Sequence, residues 1–303
     1  MRPSAGSPPL RPFHILLVLA ICLVWGGNFV VTKLGLETFP PVFFSALRFA
    51  LLISVLFPFL KIVPGRMRRL LTFAFTLGVV HYSTMLIAIG LTGNMSTLAI
   101  LNQVHVPFGV ILAVIFLKEQ VGWKRWAGIV LAFLGVMVMG FDPEVLRYTD
   151  SMIIVLISSF FVAAANVMAR DLADISPFTL NAWVAAVAVL PLTGLSFLLE
   201  DGQIASLGAA DVGDWSAVAY NAFMVTLFGH GSLYILFRHY GVGQVTPWLL
   251  LMPFIAVGLS VAILGDILTL RILAGGGMIL AGVAIVTLRS ARRAKVPPLP
   301  ARP

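Results

Sequence analysis

Runs of about 20 uncharged, mostly apolar residues recur along almost the whole 303-residue chain, and they restrict its fold more than anything else in it. A helix rising 1.5 Å per residue needs about 20 residues to cross the roughly 30 Å hydrocarbon core of a bilayer. In that solvent each backbone amide must be bonded within its own segment, so runs of this length become helices. Ten are found, near 13–33, 40–62, 70–91, 95–117, 124–140, 150–170, 178–199, 215–237, 244–264 and 270–289, each bounded by charge, Pro or Gly. Composition agrees: 60% of residues are hydrophobic, 11% are charged and the mean hydropathy is +1.03, which excludes an ordinary water-soluble domain. The expected fold is an all-α membrane protein of ten transmembrane helices. Residues 1–12 and 290–303 read as cytoplasmic tails, disordered and rich in Pro and basic groups. Very short connections near Gly93 and Gly243 predict tight hairpins between spans 3 and 4 and between spans 8 and 9.

The first run follows Arg2 and Arg11 and so mimics a secretory signal. It continues past Trp25 to Val31 without a small-x-small cleavage site, however, and more spans follow. Bulky Ile21 before Cys22 argues against a lipid-modified cysteine, and a single cysteine excludes an intramolecular disulfide.

Ten spans place both termini on one side. That side carries sixteen Lys and Arg residues and the opposite loops only three, Lys33, Arg147 and Arg271, so the positive-inside rule puts both termini in the cytoplasm. Nine of the 12 acids fall on the outer face, a weaker signal because acids carry little topogenic weight. The net charge of +8 sits in short basic clusters between apolar runs, which suit an anionic lipid surface and not nucleic acid.

The chain also repeats itself. Glu119, Lys124, Ala127, Gly128, Gly135 and Val136 align with Asp266, Arg271, Ala274, Gly275, Gly282 and Val283 at a constant offset of 147 residues. Fainter echoes pair Gly26-Gly27-Asn28 with Ala164-Ala165-Asn166, and Pro107-Phe108 with Pro253-Phe254. The repeats, 13–140 and 150–289, hold five helices each. Five is odd, so the second half crosses the membrane upside down relative to the first, the arrangement of secondary transporters with a midplane site.

Three features carry a resemblance: Trp25-Gly26-Gly27-Asn28-Phe29, the Pro40-Pro41 and Leu47-Arg48-Phe49 of span 2, and the proline-then-acid endings Pro107 to Glu119 and Pro253 to Asp266. In these the chain resembles the EamA-type drug/metabolite transporter superfamily, most of all the bacterial YddG-type exporters of aromatic and other neutral amino acids. The resemblance implies a bacterial inner-membrane exporter with a cavity lined by spans 1, 3, 4, 6, 8 and 9.

Polar groups at membrane depth are functional suspects. His81 and Tyr82 lie on span 3, Asn102, Gln103 and His105 on span 4, and His230, Tyr234, Gln244 and Trp248 on spans 8 and 9. Trp25 and Asn28 on span 1 and Asn166 on span 6 complete the substrate-binding candidates. An amino acid needs acceptors for its ammonium, donors for its carboxylate and an apolar wall, and this set supplies all three. Each has a plainer reading beside it: interhelical hydrogen bonds for Asn28 and Asn166, packing or interfacial belts for the aromatics. Arg48, the one cation well inside a span, reads first as a structural group that snorkels outward or binds helix ends and second as a group that meets a substrate carboxylate. Glu119 and Asp266 read as caps or hinges. Gly128 with Ala132 and Gly277 with Ala281 mark close helix packing, inside the protomer or between protomers. Pro107 and Pro253 interrupt matching helices and are the gating candidates.

No Asp or Glu lies well inside any span, so a carboxylate that trades a proton for a cationic drug has no candidate, and a coupling proton would fall to a histidine. Neither a phosphate-cradling G-x-x-x-x-G-K-[ST] nor the hydrolase signatures G-x-S-x-G and H-E-x-x-H occur. The expectation is a transporter of small neutral metabolites, above all amino acids, that is not an enzyme and uses no metal or cofactor. A cationic-drug effluxer of the same fold is the alternative, with an intramembrane enzyme behind it.

Overall fold

The computed structural model describes residues 10–240 and 242–294. The tails expected at 1–9 and 295–303 lie outside these residues, as does Gly241 in the second hairpin. All the regular structure described is helical. Nine helices are long and apolar enough to cross a membrane: α1 Pro12–Gly35, α2 Pro41–Phe59, α3 Met67–Leu91, α4 Met95–Leu117, α5 Trp123–Gly140, α6 Thr149–Leu172, α7 Pro177–Leu199, α9 Thr246–Leu264 and, as the last span, Leu270–Ala291. The tenth, α8, is a succession of Val212–Ala219, Tyr220–His230 and Gly231–Tyr240. Tyr220, Asn221, Thr226 and His230 make it the least apolar of the ten. The last helix, α10, continues to Ala294, past the expected end at 289.

Helix ends follow from local chemistry. Pro12, Pro41 and Pro177 open α1, α2 and α7, where a missing amide proton does no harm. Several acids gathered on one face of the bundle bind the amides that open helices there. Asp266 accepts from Ser96 N at the start of α4, Glu200 from Val42 N and Phe43 N at the start of α2, and Asp211 forms a capping box with Asp214 on α8. Even-numbered helices begin on this face, so their positive dipole ends explain why the acids gather there.

α5 and α10 pack antiparallel, backbone against backbone. A Cβ on Gly128 would stand 2.9 Å from Gly282 O, and one on Gly135 would stand 2.5 Å from Gly275 O. Gly275 and Gly282 are the repeat partners of Gly128 and Gly135, so each glycine meets the partner of the other. Only a two-fold relation between the halves produces that crossed pairing. Gly128 and Ala132 thus pack inside the protomer. Gly277 and Ala281 instead face outward, with nothing within 4 Å of a Cβ on Gly277, so this pair does not pack inside the protomer.

Both candidate gating prolines come after a break. α4 loosens into a turn at Gln103 and Val104, where Val106 N bonds Gln103 O at 3.0 Å, and α9 starts with a tight 3-10 stretch, Thr246–Leu251. A second irregularity recurs in both halves. α3 widens into a π-helix over Thr76–His81, with Tyr82 N reaching back to Leu77 O, and α8 does so over Tyr220–His230. Each π stretch ends on a histidine, with a serine two residues later. Such widenings turn side chains off the regular helical face and mark functional positions.

Candidate functional site

A branched cavity runs between the halves. One lobe, about 470 Å³, lies among α2, α3, α6, α7 and α8 and is lined by Arg48, His81, Tyr82, Asn181, Thr226 and Tyr234 among others. The second, about 360 Å³, lies among α1, α4, α6, α8, α9 and α10 and takes in Trp25, Asn28, Asn102, Gln103 and His105. The lobes share Val162, Asn166 and His230. A vestibule of about 320 Å³ continues from Asn166 and His105 past Arg125 and Arg170 to Ser290 and Ala291. It therefore opens at the end of the bundle where α10 ends. Lobes of this size suit a small metabolite.

The far end is sealed. Lys33 Nζ bonds the carbonyls of Ile89 and Thr92 at 3.1 and 2.7 Å, Asn94 caps Thr97 N, and Asn94 Nδ2 reaches Ile267 O at 2.8 Å. A Cβ on Gly93 would collide with the Tyr148 hydroxyl, so a larger residue there would have to push that ring aside. At the open end Glu119, the repeat partner of Asp266, pairs with Arg170 at 2.5 Å. Arg66 grips Asp174 with two hydrogen bonds and ties the loop before α3 to the loop before α7. Those bonds hold the Asp174 carboxyl down at about 2, so the clasp is charged at any working pH.

Nine of the ten substrate-binding candidates line this cavity, and His105 joins them. Trp248 does not. It packs with Val18, Ile21 and Cys22 at the α1–α8–α9 contact, and its carbonyl faces the Cys22 thiol. Gln244 is likewise absent from the lining. Trp25 is fixed by Nε1 donating to Val225 O at 3.1 Å and by a tilted ring contact with His230, centroids 5.2 Å apart. Asn166 is exposed although it lies well within α6, and no interhelical bond holds it among the described residues. Asn28 is different, since its Oδ1 accepts from Thr32, which is bonded in turn to Asn221 of α8.

His81 bridges α3 to α6 through Nδ1, 2.8 Å from Ser158 Oγ and 3.1 Å from Ser158 O, and its other nitrogen makes no hydrogen bond among the described residues. His81→Ala should lower flux at least tenfold while costing only about 1 kcal/mol of stability, because Ser158 keeps its bond to His81 O. Flux and melting temperature measured on one preparation test this, and a parallel loss of both would make the histidine a packing residue.

Arg48 departs furthest from expectation. It neither snorkels nor binds a helix end but lies 2% exposed at the wall of the first lobe. Its phase on α2 and the depth of that wall are three-dimensional facts. The doubled His-x-Ser of α3 and α8 is, by contrast, a legible signal that pairs His81 with His230.

Comparison with known proteins agrees with this geometry. A Salmonella typhimurium protein bearing the name "Probable amino-acid metabolite efflux pump" is 30% identical over 89% of this chain and 93% of its own, and an Escherichia coli protein of the same name is 27% identical over similar shares. A "Probable terminal-alkyne amino-acid exporter" of Streptantibioticus cattleyicolor is 25% identical over 70% of this chain and 76% of its own. A solved crystal structure shares the fold over 95% of this chain and 100% of its own, with a TM-score of 0.58 at 16% identity. The sequence model of the EamA-like transporter family matches residues 12–141 and again 150–288, one match to each five-helix half, and this chain is a membrane transporter belonging to that family.

Proposed function

We propose that this transporter exports small neutral metabolites, above all aromatic and other neutral amino acids, from the cytoplasm, by alternating access about the junction of the two lobes at Asn166 and His230. The observation that carries the reading is the lining itself, which offers amides, imidazoles, aromatic rings and arginine but, among the described residues, no Asp or Glu in either lobe or the vestibule. A cationic drug entering it would meet Arg48 with nothing to balance its charge. The relatives named as amino-acid pumps support the same substrate class. The basic loops support an open end on the cytoplasmic side of a bacterial inner membrane, which would make this conformation the inward-facing one. Pro107 and Pro253, each beside a break in matching helices, are the proposed flexing points. If a proton is coupled, the histidines of the lining, His81, His105 and His230, are its carriers.

Liposomes holding the purified protein and challenged with labelled tryptophan, phenylalanine and leucine, against ethidium, test the reading. Saturable amino-acid flux with ethidium at background is expected. Ethidium flux without amino-acid flux would replace this reading with the drug effluxer.

A further inference from the structure

A guanidinium cannot shed its proton at any accessible pH, so Arg48 is a permanent charge inside the bundle. The pieces around it are neutral. Nη1 bonds Asn221 Oδ1 at 3.4 Å and Nη2 bonds Thr226 Oγ1 at 3.2 Å, both long for a charged donor. The head lies 4.3 Å from the Tyr82 ring centroid and 4.9 Å from that of Phe49. Nε is buried and has no hydrogen-bond partner. The ion pairs among the described residues all lie elsewhere, so no carboxylate answers this charge. Removing a charge from water without a counter-ion is among the most unfavourable things a fold can do, and an apolar side chain here would serve packing better.

The position of the head gives the charge a use. Tyr82 and Thr226, which hold it, themselves line the first lobe, together with His81 and His230. The arginine is thus clamped at the cavity wall with hydrogen-bonding capacity left over. The fork of a guanidinium matches a carboxylate, which can accept two bonds from it. Asn166, exposed at the junction of the lobes, has an amide oxygen able to receive an ammonium.

We infer that Arg48 is the carboxylate-binding residue of the first lobe, and that the transporter recognises its substrate by the carboxylate first, with the amino group secondary. This rests on the reading of the protein as an exporter of amino acids and sharpens it. Acids that keep the side chain and carboxylate but lack the ammonium should bind. Amines and esters made from the same amino acids should not.

The test uses the full-length protein. Ligand-induced rises in melting temperature are measured in detergent with L-phenylalanine, 3-phenyllactate, phenethylamine and L-phenylalanine methyl ester. Competition by the same four against labelled phenylalanine and leucine is measured in liposomes. The first two are expected to stabilise and compete, the last two to do neither. Arg48→Lys, which keeps the charge but loses the fork, should raise KM about tenfold, and Arg48→Gln should lower kcat/KM on the order of a hundredfold. An amine or ester that competes as well as phenylalanine overturns the assignment, as does a folded Arg48→Gln protein with unchanged KM, and in either case amino-acid export itself survives. Binding and flux of 3-phenyllactate without any amino-acid flux would keep Arg48 and discard the amino-acid reading, while the absence of both discards both. Should Arg48→Gln fail to fold, the four-ligand series on the unaltered protein decides.

Discussion

Gly135→Leu is expected to leave no folded protein, and Gly135→Ala to destabilise it by about 1–3 kcal/mol. The neighbours of a Cβ at this position are Gly275 O at 2.5 Å and Ile279 N at 2.8 Å, backbone atoms that cannot rotate aside. Even one methyl group therefore forces α5 and α10 apart along the contact that joins the halves. Gly275→Ala attacks the same crossing, since a Cβ there would stand 2.6 Å from Gly135 O, so the double variant should fall short of the sum of the two. Gly109→Ala and Gly194→Ala are the controls, because nothing lies within 4 Å of a Cβ at either position. Melting curves of the four single alanine variants and the double decide the matter. A Gly135→Ala protein as stable as its controls would mean that the crossing is loose.

Asp266→Ala should open the sealed end. Its carboxylate belongs to the loop before α10 and binds Ser96 N at 2.5 Å, across the interface between the halves. A hydrogen bond to a charged group is worth about 1.5–3 kcal/mol, so its loss would move the balance between closed and open forms of the sealed end by roughly ten- to a hundredfold. A cysteine at Leu98, which lines the small sealed space beside Asn94 and Tyr148, reports this through labelling from outside intact cells after Cys22 is replaced. Faster labelling is expected with Asp266→Ala. It is not expected with Asp211→Ala, whose carboxylate caps only its own helix. Equal labelling in the two backgrounds, with folded protein in both, would place the latch elsewhere.

How much of this can be read from the residues differs between fold and site. The spans are legible because a bilayer permits little besides helices of fixed length, and the glycines of α5 and α10 betray their shared origin by a constant spacing. Which way a side chain points is much less so. In lipid the outer face of a helix is as apolar as its core face, so hydrophobic periodicity no longer separates them. Gly277 and Ala281 cannot be told from Gly128 and Ala132 on that basis, nor Trp248 from Trp25. The π stretches before His81 and His230, and the turn at Gln103, rotate the remainder of each helix by an amount no regular period contains. Arg48 misleads for a related reason. Snorkelling is the ordinary answer for a cation near a helix end, and only the fold shows Tyr82 and Thr226 closing off that escape.

The glycine crossing of α5 on α10 has a further consequence. Since each half presents the same glycine pair to the other, either half bears on its own surface a contact that a second copy of itself, inserted the opposite way up, would satisfy. The segment from 141 to 149 turns that encounter between two molecules into one within a single polypeptide, at an effective concentration free partners would not reach. Joined in this way, the halves are released from having to insert in both orientations. Within one polypeptide the two faces of the bundle need not match, and the paired acids show it: Glu119 pairs with Arg170, whereas Asp266 accepts from Ser96 N. Joining the halves thus lets a symmetric contact hold together two unlike ends.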